Sequence, residues 1–177
     1  MPTARLQVLP DVSALPRTLD DLAGLDCEAL LELYRGATTP AIRTVQGDLR
    51  GRMLAVRGAG GFVFRALRAF AAWRRFPWRG KSFTALTDTT GEGINRVFSD
   101  TRPSRWFRFA TNLAPSRAGD FDAFQLDYDN PDNPFFIRAI KDEIREVSPG
   151  LYLGQAYVVL FRKPRLALYF GLQDQRA

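Results

Sequence analysis

LYLGQAYVVLFRKPRLALYFGLQ, residues 151 to 173, is the stretch whose reading decides the fold. Tyr152, Gly154, Ala156, Val158 and Leu160 alternate with Leu151, Leu153, Gln155, Tyr157 and Val159. After a break, Leu166, Leu168, Phe170 and Leu172 alternate with Arg165, Ala167, Tyr169 and Gly171. A period of two is the pattern of a strand, whose side chains point to opposite faces in turn. The break, FRKPR at 161–165, is short enough to be a tight connection, so the two runs form a hairpin.

Working back towards the N-terminus, DAFQLDYD (122–129), RWFRFATNLA (105–114), GINRVFSD (93–100), KSFTALTD (81–88) and DLRGRMLAVRG (48–58) read as further strands. Turn residues separate most of them: TTGEG, TRPS and PSRAGD. Three segments have helical spacing. RTLDDLAGLDCEALLELYRG (17–36) carries Leu22, Leu25, Leu30 and Leu33, with Asp26 as a cap and Gly36 as a stop. FVFRALRAFAAWRRF (62–76) is Ala-rich and ends at Pro77. PFFIRAIKDEIREV (134–147) turns Phe136, Ile137, Ile140 and Ile144 inward and Arg138, Lys141, Asp142 and Arg145 outward if it is helical. Asp132 or Asn133 would cap it.

Short, evenly spaced strands with few helices predict a mainly β protein, a single antiparallel β-barrel. Residues 1–177 form a single domain on this reading. Residues 1–46 are a helical and loop segment packed on the barrel, and residues 47–177 are the barrel itself. One helix lies across it (62–76), and one helix is inserted near 134–147. A strongly curved sheet packed on a helix is the alternative.

Composition narrows the chemistry. The chain has no histidine and one cysteine, Cys27, which excludes Ser-His-Asp and Cys-His catalysis and histidine- or cysteine-rich zinc sites. No metal and no cofactor is expected. The net charge of +6 is unevenly placed. Residues 49–87 hold no acid, while 119–147 hold eight acids against Arg138, Lys141 and Arg145. A basic surface suits an anionic partner; a solvated face with intramolecular pairing between the two stretches is the preferred reading. The basic face of 62–76 has the composition of a membrane-surface helix, from which peripheral membrane contact would follow; a helix docked on a sheet, which any apolar stripe needs, is the preferred reading. RWFRF could stack single-stranded nucleic acid, but a strand with one wet face is the commoner use of that alternation, and no nucleic-acid partner is expected. The N-terminus has no continuous apolar run of the secretory kind and the chain no membrane-length apolar run, so a cytoplasmic location is expected.

GDLRG (47–51) opens the β region and WRGKSF (78–83) begins the next strand. Together they resemble the GxWxG family of lipocalin-like, calycin-like proteins. Gly47 and Gly51 match the first motif, with Leu49 where that family has tryptophan, and Trp78, Gly80, Lys81 and Phe83 match the second. LDYDNPDNPFF, SPGLYLGQ and LALYFGLQ are similar to the companion domain often found behind GxWxG, Tyr128 and Asp129 matching its Tyr-Asp segment loosely. The resemblance implies a calycin-type barrel that holds a small hydrophobic molecule.

The residues point the same way. Fourteen Phe, five Tyr and three Trp exceed what a minimal core needs, and aromatics with polar tips line apolar ligand pockets. The expected ligand-binding residues are Trp78, Lys81, Arg96, Tyr128, Tyr152, Gln155, Tyr157 and Tyr169. LDYDNPDNPFF (126–136) has three readings. As a calcium loop it lacks the glutamate at the twelfth position. As a turn it is explained from Asn130 to Pro134. As a reactive site it offers Asp127 and Asp129, expected catalytic acids if both face the barrel interior and Tyr128 faces out. Ordinary packing reverses this, with Tyr128 inward and both acids in water. Function is therefore expected to be binding of a small hydrophobic or aromatic molecule. The alternatives are a metal-free cyclase, isomerase or lyase on the same barrel, and a basic interaction module for a membrane surface or acidic partner.

Overall fold

The computed structural model describes residues 15–56 and 78–176. Eight strands follow one another: β1 (Gly47–Val56), β2 (Trp78–Ala85), β3 (Thr90–Val97), β4 (Ser104–Pro115), β5 (Asp122–Asp127), β6 (Ile140–Ser148), β7 (Leu151–Leu160) and β8 (Lys163–Asp174). Each is antiparallel to the next, and β8 pairs back onto β1. The result is a closed eight-stranded antiparallel barrel, consistent with a calycin- or lipocalin-like fold. Closure leaves no sheet edge to protect.

In such a meander the connections segregate. Those leaving β3, β5 and β7 lie at one end, here the upper end, and those leaving β2, β4 and β6 lie at the lower end. The segment 57–77, which includes the expected helix at 62–76, lies outside the described residues.

The N-terminal segment packs on the outside of the barrel. α1 (Leu19–Ala23) is held by a capping box between Thr18 and Asp21, and α2 (Cys27–Gly36) by the Asp26 carboxylate, which accepts from the Glu28 and Ala29 amides. α1 buries Leu19 and Leu22 beside Leu151 and Leu54. α2 buries Leu30 and Tyr34 beside Leu153 and Tyr169. A 3₁₀ turn, Ile42–Thr44, leads into β1, and Ile42 and Val45 close the lower end of the interior against Leu49, Phe83, Phe109 and Phe124.

The inserted helix near 134–147 is corrected by the structure. Only Phe135–Arg138 is helical (α3), with Pro134 at its cap and no side-chain capping bond. Asn133 is instead buried and donates to the carbonyls of Tyr128 and Arg108. Residues 140–148 form β6, paired with both β5 and β7. The two ladders supply backbone partners that a helix would have found locally, and they put Ile140, Asp142 and Ile144 on one face. Phe136, expected inward, is exposed.

Interior glycines let the barrel pack aromatic rings flat against its wall. Gly93 faces Phe109 across β3 and β4, and Gly154 faces Phe170 across β7 and β8. A Cβ would stand 2.3 Å from the Phe109 ring at Gly93, 2.2 Å from the Phe170 ring at Gly154 and 2.5 Å from the Trp78 ring at Gly51. The three rings therefore lie where only hydrogen leaves room.

Candidate functional site

The upper half of the barrel contains a cavity of about 120 Å³. Its wall is apolar, from Met53, Phe107, Ile137, Ile140, Val158 and Leu168 among others, and its polar groups come from Lys81, Asn95, Tyr128 and Asp142. Lys81 comes from β2, Asn95 from β3 and Asp142 from β6, each at an inward position. Tyr128 follows the last residue of β5 and continues its inward row after Phe124 and Leu126.

These four side chains form one hydrogen-bonded cluster. The Lys81 ammonium donates to Asn95 Oδ1 at 3.0 Å, to Asp142 Oδ2 at 3.1 Å and to the Tyr128 hydroxyl oxygen. Tyr128 donates to Asp142 Oδ2 at 3.2 Å, and Asn95 Nδ2 donates to the Tyr128 oxygen at 3.2 Å and to the Phe107 carbonyl at 3.3 Å. Trp78 Nε1 donates to Asn95 Oδ1 at 3.0 Å. All three ammonium protons are used. Around the ammonium stand the faces of Tyr128 and Phe170 at 5.1 Å, Phe109 at 5.2 Å and Trp78 at 5.4 Å. The rings that rest on Gly51, Gly93 and Gly154 thus form a cage for a cation.

Lys81 and Asp142 are both buried, 3% and 4% exposed. Burial lowers the affinity of the Lys81 amine for its proton, opposed by the Asp142 charge, and burial raises that of the Asp142 carboxyl, opposed by Lys81. Burial and the neighbouring Asp142 charge push the Tyr128 hydroxyl well above its ordinary value. Asp142 Oδ1 has no hydrogen-bond partner among the described residues. A buried carboxylate oxygen left unmatched is costly, which makes it a natural acceptor for an O–H or N–H brought by a ligand.

Bulges aim side chains into this half of the barrel. Register shifts fall at Trp78/Gly80, Ile94/Asn95, Met53/Ala55 and Ala156/Tyr157. At the second, Phe107 is the extra residue of β4, takes a left-handed φ of 58° and turns its ring to the cavity. At the last, Ala167 is extra, so Ala167 and Leu168 both line the cavity, against strict alternation.

Of the expected ligand-binding residues, the structure brings Trp78, Lys81 and Tyr128 together at the cavity. The others stand elsewhere. Tyr152 faces the interior but lies in the packed lower core, its hydroxyl pushed up to about 12 by burial and then by the Glu146 charge. Arg96 points outward, donates to the Asp100 carbonyl at 2.8 Å and stands 3.4 Å from Asp48. Gln155, Tyr157 and Tyr169 belong to the outer face beneath α2. There Tyr157 donates to Gln155 at 2.5 Å, and Glu143, fully buried, takes hydrogen bonds from Ser116, Arg117 and Gln125.

The two expected catalytic acids are not at the cavity either. Asp127 ends β5 on its outer side and pairs with Lys141; Asp129 is exposed and pairs with Arg138 at 2.7 Å. Arg138 holds the Asp129 carboxyl below its ordinary value. Residues 130–134 form the expected turn, with Asn130 Oδ1 accepting from the Asp132 amide. The interior acid is Asp142, which the sequence reading placed on a wet helical face. Asn95 was also missed. Asn95 sits between Gly93 and Val97 at the inward period of β3, and Asp142 between Ile140 and Ile144 at the inward period of β6, so period two was the available signal.

Among the described residues no group of acids and cysteine is arranged to hold a metal ion, and no helix is long and apolar enough to cross a membrane. No protein-family model and no curated protein matches the chain. Among solved structures, a crystal structure of a protein from Thermomonospora curvata is similar at 18% identity, covering 86% of this chain and 89% of that chain, with a TM-score of 0.47.

Proposed function

We propose that this barrel binds a small apolar or aromatic molecule in its upper cavity, with one polar group of that molecule set against the Lys81–Asp142 pair. The observation that carries the reading is an apolar chamber with a single polar cluster, in which Asp142 Oδ1 lacks a partner. Apolar walls supply affinity, and a few fixed polar groups supply orientation. The resemblance of 47–51 and 78–83 to the GxWxG motifs supports a lipocalin-like relationship, since Gly47 pairs with Phe83 and Leu49 with Lys81 on adjacent strands. Titration calorimetry with 1-naphthol, an aromatic carrying one hydroxyl, tests the reading. Wild-type protein is expected to bind it, and Ala156→Trp, which fills the chamber from β7, is expected to abolish binding while the protein stays folded. Equal binding by the variant would sink the proposal.

A second reading adds proton transfer in the same chamber. It is supported by a carboxylate beside two proton donors, Lys81 and Tyr128, in a dry setting. Asp142 would act as the base in place of Asp127 and Asp129. Once a substrate is known, Asp142→Asn should retain binding and lower turnover by about 10²-fold or more; unchanged turnover would leave the barrel as a binding protein.

A further inference from the structure

Every large exposed aromatic side chain among the described residues belongs to the upper end of the barrel. Phe98 follows β3 and stacks edge-on with Trp106 at 5.2 Å. Phe135 and Phe136 lie in α3, between β5 and β6. Phe161 lies in the turn between β7 and β8 and is 100% exposed; Phe135 is 84% exposed. These residues surround the end of the barrel that holds the cavity.

The β7–β8 turn departs most from what its own geometry calls for. Leu160 pairs with Lys163, so Phe161 and Arg162 alone make the turn, with φ of 49° and 64°. A two-residue turn with both residues left-handed is the habitat of Asn-Gly. Here it holds a phenylalanine and an arginine, both strained, and the phenylalanine touches only solvent. Backbone strain that local packing does not repay points to a role outside the folded chain.

The charge around that turn is uniform. Arg162, Lys163 and Arg165 are exposed and enter no ion pair among the described residues. Other charges at the upper end are largely matched: Asp127 by Lys141, Asp129 by Arg138, and Asp100 by Arg79 at 3.9 Å. Asp132 is the exposed acid there that has no ion pair among the described residues. A fully exposed aromatic flanked by basic residues matches the interfacial layer of an anionic bilayer, where rings sit at headgroup depth and each basic residue adds attraction.

We propose that the upper end of the barrel docks on an anionic membrane, with Phe161 entering the interfacial layer, Arg162, Lys163 and Arg165 on the headgroups, and Phe135 and Phe136 as a second point of contact. Docked in this way, the half of the barrel that holds the cavity is the half nearer the bilayer. The docking does not depend on what fills the cavity, and none of the residues that carry it belongs to the expected basic helix at 62–76.

Co-sedimentation of the full chain with vesicles tests this. One set is phosphatidylcholine alone and the other contains about one-third phosphatidylglycerol, a surface on which basic residues gain attraction. Binding is expected to be at least about tenfold tighter on the anionic vesicles. It is expected to be lost between about 0.1 M and about 1 M NaCl, as the screening length falls from about 10 Å to about 3 Å. The decisive variant is Phe161→Asn with Arg162→Gly, which installs the preferred turn. Its melting temperature should equal or exceed that of the wild type, while vesicle binding falls at least about tenfold through loss of one ring and one charge. Absent or lipid-independent binding by the wild type, or undiminished binding by the variant, would overturn the proposal. So would displacement of the protein from anionic vesicles by single-stranded RNA, which would make nucleic acid the partner of this surface. Naphthol binding by the same samples reports on the cavity separately.

Discussion

Replacing Lys81 by methionine, a chain of similar length without charge, leaves Asp142 alone in the barrel. The carboxyl then stays protonated in the folded protein well above the roughly 3.9 at which it ionises in the unfolded chain. A folded-state value raised in this way contributes stability that is present at low pH and is lost as pH rises. Relative to wild type, the variant should lose about 1.4 kcal/mol for each pH unit above about 4, until the folded carboxyl itself ionises. By pH 7 that reaches about 4 kcal/mol, the usual cost of breaking a buried pair by removing one partner. Asp142→Asn should show the mirror image. Its isolated Lys81 amine has a lowered folded value, so stability is intact above the unfolded value of about 10.4 and is lost as pH falls. In the wild type, the pair holds one proton whether it is ionic or neutral, the same count as in the unfolded chain between about pH 4 and 10, so it adds no slope there. Urea denaturation of the three proteins from pH 5 to pH 9 measures the differences. Opposite slopes are expected. Two flat differences, or two slopes of the same sign, would refute the burial of this pair.

Three other buried hydroxyls titrate at the alkaline end: Tyr34 and Tyr128 are pushed upward by burial, and Tyr152 to about 12. Because these folded values lie above the unfolded value, stability is full below about pH 10 and should then fall by up to about 4 kcal/mol per pH unit for three tyrosines, visible as a drop in melting temperature. Gly154→Ala, whose new methyl would stand 2.2 Å from the Phe170 ring, should cost about 1–3 kcal/mol in urea denaturation, and adding Phe170→Leu should restore part of it.

The barrel was legible because most strands carry their pattern locally. Residues 151–173 show alternation over two runs, and turn residues mark the breaks. What lay hidden depends on what each strand meets. Ile137, Ile140 and Ile144 are spaced three and four apart, as on a helix face, while Ile140, Asp142 and Ile144 are spaced as on a strand. Only pairing with β5 and β7 decides between the two, and with that decision Asp142 moves from solvent to the interior. Lys81, Trp78 and Tyr128 were found, but the partners that give them a setting, Asn95 and Asp142, came from strands judged one at a time. The outer polar layer was unreadable for the same reason. Gln155 and Tyr157 alternate correctly, yet nothing in their own strand says that Tyr34 and Glu143 will make the outside of that wall as dry as the inside. Bulges broke the alternation where it mattered most, since the extra residues at Phe107 and Ala167 set the shape of the cavity.

Seven of the eight seams in this barrel join neighbouring strands, and one, between β1 and β8, joins segments more than a hundred residues apart. The neighbouring seams can zip as the chain emerges, each closing a loop far shorter than the one between β1 and β8, while the last must wait until both ends of the sheet exist. α1 lies across that seam: Leu19 rests where a Cβ on Gly171 of β8 would stand 2.6 Å away, and Leu54 of β1 packs on the other side. The helix that leaves the ribosome before any strand has no complete surface to dock on until the final strand has arrived. It serves as a clasp, and its hydrogen exchange should report opening of the barrel at the β1–β8 seam.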